Sequence, residues 1–256
     1  METQEKNINN TFFKGTYQEV WRKLIPPGLS EVECSFVEET ASLQPGDKVL
    51  DLMCGYGRHT LELCKRGYHL TAIDSAAGYI AEIETARLKD NLAVEVYAAG
   101  ALEAPLHHMY KAIICMGNSF AFFNRDEALS LLRKLSLHLL PDGVLIINTW
   151  MIAEIAIRHF QERAWLQVDD YKYLLDYQYN LHPSRIDSEH TIIAPGNKVE
   201  TIQGVDYIFT LQEMEAMFME AGLHLSDIFS TPKKRTFKMG DSRAYLVIEK
   251  KNNIKA

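Results

Sequence analysis

The run from residue 48 to residue 74 constrains the fold of this 256-residue chain more than any other. Residues 48–53 form a short apolar stretch, and Asp51-Leu52-Met53-Cys54-Gly55-Tyr56-Gly57 carries the chain out of it. Residues 58–66 then follow a helical pattern closed by Gly67, well placed as a left-handed C-terminal cap, and residues 70–73 make a second strand ending on Asp74. Strand, glycine loop, helix, strand and acid in that order make one βαβ unit. Gly55 and Gly57 let the backbone turn tightly and let a ligand approach the main chain with no Cβ in the way. Asp74, 17 residues beyond Gly57, is placed to accept hydrogen bonds from two ribose hydroxyls.

The alternation continues downstream. A helix is expected over about 76–89, strands over 94–97 and 112–116, a helix over 126–140 ended by Pro141-Asp142-Gly143, and a strand over 144–148. Five strands with intervening helices predict an α/β core over residues 46–150, a Rossmann-like, doubly wound, mostly parallel sheet covered on both faces. Residues 1–45 read as an N-terminal helical cap broken at Pro26-Pro27-Gly28, its second helix spanning about 29–42 with an N-cap near Ser30. Within residues 151–209, strand-like stretches over 171–179, 184–193 and 199–209 are joined by turn residues, which predicts an antiparallel three-strand insertion. Residues 210–256 return to the core through a helix opened by the capping box Thr210-Leu211-Gln212-Glu213 and a last strand over 243–249.

Lys and Arg total 27 against 34 Asp and Glu, a net charge of −7 that disfavours nucleic acid as a partner. Met1-Glu2-Thr3-Gln4-Glu5-Lys6 has no basic or apolar signal region, and no apolar run approaches the roughly 20 residues a bilayer span requires. A cytoplasmic protein, with no membrane partner, is expected. The four cysteines form no C-x-x-C pair, so reduced thiols and no metal site are expected, and the neighbours His107 and His108 have no third ligand spaced to join them.

Departures from the dinucleotide pattern narrow the ligand. The third glycine of G-x-G-x-x-G falls at Thr60, and Asp51 lies four residues before the first glycine. A carboxylate there would repel an anionic pyrophosphate and favour a ligand carrying an ammonium and a sulfonium. DLMCGYGRH followed by HLTAID resembles motif I and the acidic loop of the class I S-adenosylmethionine-dependent methyltransferases. The stretches IICMGNSF (113–120) and LPDGVLIIN (140–148) are similar to the fourth- and fifth-strand segments of a bacterial small-molecule branch.

That resemblance implies S-adenosyl-L-methionine as cofactor, S-adenosyl-L-homocysteine as product and a small-molecule acceptor. It sets Gly55 and Gly57 against the methionine portion, Asp51 near its amine and Asp74 on the ribose, with Cys54 among the cofactor-binding residues. It places Ser75, Ala101 and Leu102 around the adenine, with Gly100 where an acid usually holds the adenine amine. It also implies main-chain carbonyls from Cys115 or Met116 near the cofactor amine. Tyr17 either closes over the cofactor or belongs to the core, and Arg58 reaches the cofactor carboxylate or pairs with an acid. The strand insertion covers the acceptor site, which makes His159, Tyr179, His182 and His190 candidates for a general base, with no choice among them. An NAD(P)-dependent oxidoreductase and a non-catalytic adenosine-ligand-binding module are the alternatives, and the protein is expected to be a monomer or homodimer.

Overall fold

The computed structural model describes residues 8–251. Helices α1 (Thr16–Leu24) and α2 (Leu29–Ala41) come first. Gly28, at φ +79°, precedes α2, so the helix starts from a left-handed glycine and not from a Ser30 cap. The core follows as β1 (Lys48–Leu52), α3 (Arg58–Lys65), β2 (His69–Asp74), α4 (Ala77–Asp90), β3 (Val94–Ala98), β4 (Tyr110–Cys115), α5 (Arg125–His138) and β5 (Leu139–Thr149). Asn124 and Glu127 form a reciprocal capping box at the start of α5.

After β5 come α6 (Ala153–His159), β6 (Arg163–Val168), β7 (Tyr171–Leu181), β8 (Ser184–Ile193) and β9 (Val199–Tyr207), then α7 (Leu211–Glu220), β10 (Leu223–Phe229) and β11 (Ala244–Lys250). The main sheet has the order β10-β11-β5-β4-β1-β2-β3. β1 to β5 are parallel, while β11 pairs antiparallel with β5 and β10 with β11. Period-two alternation sends successive residues of one strand to opposite helix layers. Leu50, Ile113 and Leu145 enter the cluster built with α5 and α7, whereas Val49, Ile114 and Ile146 enter the one built with α2, α3 and α4. Each such fully buried aliphatic side chain contributes about 1.5–3 kcal/mol.

The second sheet, β6-β7-β8-β9, is antiparallel throughout and has four strands where three are expected. β6 carries no readable alternation, because Val168 is its one buried residue and Trp165 stays exposed on an edge strand. β10 is likewise absent from the sequence reading, since a register shift between Leu225 and Asp227 breaks its period. Among the described residues no helix is long and apolar enough to cross a membrane.

Candidate functional site

The strand order of the main sheet reverses between β1 and β4. At such a point the connections leave for opposite faces and open a crevice beyond the carboxyl ends of the strands. A cavity of about 340 Å³ lies there, large enough for a small organic ligand.

The loop leaving β1 forms one wall. Gly55 (φ +55°) and Gly57 (φ +80°) both adopt left-handed backbone, yet they serve different ends. A Cβ on Gly55 would meet nothing nearer than Tyr79 at 3.9 Å, and this glycine borders the cavity. A Cβ on Gly57 would lie 2.7 Å from Ile83 Cγ1 on α4. Gly57 therefore precedes α3 as its cap and lets the loop settle on α4, and it does not border the cavity, contrary to the contact expected from sequence.

Asp51 and Asp74 line the cavity beside the loop, with Glu103 and Glu127 as further acids of its lining. Asp51, 1% exposed, accepts a hydrogen bond from Thr60 Oγ1 at 2.6 Å, so the residue in the third glycine's place holds this carboxylate. Asp74 accepts the Gly55 and Ala76 N–H groups, one on each oxygen, both at 2.8 Å. Burial raises the pKa of both carboxyls; the charge of His59, the Thr60 hydrogen bonds and the charge of Arg58 offset this in part at Asp51, and the Ala76 and Gly55 N–H groups do so at Asp74. Sheltered acids whose burial is only partly offset favour a ligand that brings positive charge and hydroxyl donors.

Cys54, Ser75, Ala101, Leu102 and Met116 also line the cavity. Lys134 Nζ donates to the carbonyls of Ala101 at 3.1 Å and Leu102 at 2.9 Å, which fixes that turn. The Cys115 side chain is turned by alternation along β4 into the core beside Ile113, where burial pushes the thiol up to about 12, and of the pair it is Met116 that lines the cavity. Tyr17 does not line it. The N-terminal segment presents Phe13 and Trp21 to the cavity, while Tyr17 packs edge-on against Phe12 and Tyr173 on the other side.

Arg58 borders the cavity, but its guanidinium pairs with Glu33 at 2.5 Å and donates to Ser30 at 3.3 Å. Glu33 on α2 is wholly buried and also meets His59 Nε2 at 2.9 Å and the Tyr245 hydroxyl at 2.7 Å. Burial alone would raise its pKa. The hydrogen bond and charge of His59, the charge of Arg58 and the Tyr245 hydroxyl prevail and hold the carboxyl at about 2.

None of the four general-base candidates lines the cavity. His182 is exposed in the β7–β8 turn and His159 is exposed at the end of α6. Tyr179 packs on Phe160 and shares a hydrogen bond with Ser184 Oγ at 2.7 Å. His190 is buried, with its Nδ1 bonded to the Tyr173 hydroxyl, and burial lowers its pKa to about 4.

Two acids absent from the sequence reading stand in or beside the site, Glu103 in the cavity lining and Asp206 behind the Gly117–Ser119 stretch. The space that a Cβ on Gly100 would take is filled by the Glu103 carboxylate, and both residues line the cavity. An acid three residues beyond the expected position, inside a tight turn, was the available signal. Asp206 at the end of β9 accepts a hydrogen bond from Asn118 Nδ2 at 3.0 Å, across 88 residues of sequence that no local pattern spans.

Residues 49–143 match the family model described as "Methyltransferase domain". A glycine/sarcosine N-methyltransferase of Halorhodospira halochloris is 32% identical over 40% of this chain and 39% of its own length. A second glycine/sarcosine N-methyltransferase, from Aphanothece halophytica, is 27% identical over 56% of this chain and 55% of its own. The chain thus spans about half or less of the length of these curated relatives. The solved structure of the CcbJ methyltransferase from Streptomyces caelestis superposes with a TM-score of 0.81 at 17% identity, over 95% of this chain and 98% of that one, a likeness of fold. Strand order, glycine loop and strand-end acid agree with this match: residues 49–143 resemble a methyltransferase domain in sequence and in fold.

Proposed function

We propose that this chain is a methyltransferase that moves the methyl group of S-adenosylmethionine to a small-molecule acceptor. The observation that carries the reading is the cavity at the strand reversal, walled by Gly55 and charged by Asp51 and Asp74 with no free cation among its lining residues. Asp51 would hold the cofactor's amine, Asp74 its ribose, and Glu103 the adenine amine in place of the side chain that Gly100 lacks. When bound, the cofactor supplies an activated carbon whose bond to sulfur breaks, with its electron pair, as the acceptor's bond to that carbon forms.

The chain's own residues align and enclose. Phe13, Trp21 and Phe122 close the cavity on the side of the N-terminal segment and the β4 exit, excluding water from the reacting pair. The acceptor enters between that aromatic wall and the second sheet. The acidic lining disfavours polyphosphate, in keeping with a small molecule and against nucleic acid. The glycine/sarcosine activity in the names of two relatives supports an acceptor of that size.

Calorimetric titration of the ligand-stripped protein with S-adenosylmethionine, S-adenosylhomocysteine and NADH tests this reading. Micromolar binding of the first two and none of the third is expected. Binding of NADH alone would overturn it.

A further inference from the structure

The inner face of the second sheet is set by alternation. It carries Tyr173, Tyr177 and Tyr179 on β7, Ile186, Ser188 and His190 on β8, and Ile202, Gly204 and Asp206 on β9. Glu200 shares that face and is satisfied, by Lys198 at 2.8 Å and by the Thr16 N–H at 2.6 Å. Asp206 is not. No cation lies within ion-pair distance of it among the described residues, and the Asn118 amide on Oδ1 is its one hydrogen bond.

That amide is locked. Asn118 Oδ1 accepts from Thr149 Oγ1 at 2.8 Å and from the Trp150 N–H at 3.0 Å, so its NH2 has to face Asp206. Asn118 sits between Gly117 and Ser119, which line the cavity. Asn9, another lining residue, is bonded both ways to the Val205 main chain, with Nδ2 on the carbonyl at 2.7 Å and the N–H on Oδ1 at 2.9 Å. Asp206 therefore stands behind the Gly117–Ser119 part of the cavity wall, on the side of the second sheet, and no hydrogen bond to its Oδ2 is found among the described residues. The titratable groups around it are Tyr17 from α1 and Tyr173 and Tyr177 from β7, with His190 of β8 behind the tyrosines. No lysine or arginine faces it, and Arg58, the one such residue lining the cavity, is committed to Glu33.

We propose that Asp206 receives the acceptor's amine, and that the acceptor is a cationic amine without a carboxylate. Aromatic rings beside a carboxylate with no ion pair attract an ammonium, and no lysine or arginine stands beside Asp206 to hold a carboxylate of the acceptor. On binding, one proton passes from the ammonium to Asp206 Oδ2, which leaves the nitrogen lone pair free to attack. The methylated nitrogen keeps its remaining protons, and Asp206 returns its own to water. Burial lifts the Asp206 carboxyl to about 7, against the Asn118 hydrogen bond that lowers it, so the group both attracts an ammonium and accepts its proton near neutrality.

This inference rests on the cofactor reading above, and its test separates the two. Benzylamine, benzyl alcohol and benzoate are titrated into protein saturated with S-adenosylhomocysteine, by calorimetry or ligand-observed NMR. Benzylammonium should bind at least about tenfold more tightly than either other probe. Asp206→Asn should remove that advantage, Asp206→Glu should restore part of it, and S-adenosylhomocysteine affinity should stay the same in both. Benzoate binding as well as benzylammonium, or an Asp206→Asn variant with unchanged benzylammonium affinity, would overturn the proposal. If Asp206→Asn fails to fold, the wild-type pH profile decides: benzylammonium binding should strengthen from pH 6 to 8 as Asp206 ionises, and a flat profile overturns the proposal. Failure of the wild-type protein to bind S-adenosylhomocysteine would bring down the cofactor reading, and this one with it.

Discussion

Glu33 and Asp51 are both buried carboxylates of one α/β core, and they are treated in opposite ways. Glu33 meets Arg58, His59 and Tyr245, and its partners hold it ionised far into acid. Asp51 has Thr60 as its hydrogen-bond donor, Asp74 has two main-chain N–H groups, and Asp206 has one amide; burial raises the pKa of all three. A carboxylate that serves the fold is saturated by the fold. One left short of cations sits where a ligand completes it. The Glu33 cluster also bears on the second class, because it ties Arg58 and His59 down, so that their charges offset only part of the burial cost at Asp51.

Four substitutions break or sharpen that contrast. Glu33→Ala leaves Arg58 and His59 facing an empty, water-poor site and should cost about 3–5 kcal/mol in denaturant unfolding. A loss under about 1 kcal/mol would mean the cluster is not structural. A depressed carboxyl adds stability above its unfolded pKa and loses it as pH falls toward the folded value, so wild type should shed this contribution between the ordinary glutamate range and pH about 2. The Glu33→Ala protein should lack that acid limb.

Gly57→Val forces a branched residue to φ +80° and against Ile83, for about 2–4 kcal/mol of stability. Cofactor binding should fall with it through a displaced loop. Wild-type stability in that variant would remove the packing explanation. Asp74→Ala should weaken S-adenosylmethionine by about 1–3 kcal/mol in calorimetry with a smaller effect on folding, and unchanged affinity would take Asp74 out of the site. Asp51→Asn gives the smallest effect and the sharpest contrast with Glu33. A carboxyl with a raised folded pKa costs stability as pH rises through its titration, so the ligand-free variant should melt above wild type at pH 8, by a margin that shrinks in acid. A lower melting temperature at pH 8 would place Asp51 with Glu33 as a structural acid.

Short-range pattern made the parallel core legible. β1, β2 and β4 announce themselves because a central strand is largely apolar on both faces and its turns need glycine, as at Gly55 and Gly67. β6 escapes because an exposed edge strand has no face to bury. In the site, Asp51 and Asp74 are readable from spacing to one loop. Tyr17 and Trp21 share a helical stripe, and only packing decides that Trp21 faces the cavity and Tyr17 the second sheet. Glu103 depends on a turn folding back over Gly100, and Asp206 on two sheets meeting at Asn118. Local periodicity carries neither kind of contact.

Asp74 grips the Gly55 amide with one oxygen and the Ala76 amide, at the entrance to α4, with the other, while Ile83 of α4 fills the notch at Gly57. Loop and helix are splinted at both ends, so this wall of the crevice keeps its shape whether or not a ligand is present. Little conformational entropy is then lost there on association. The ordering cost of binding falls on the wall facing it, where Phe13 and Trp21 arrive from a short segment rather than from the sheet.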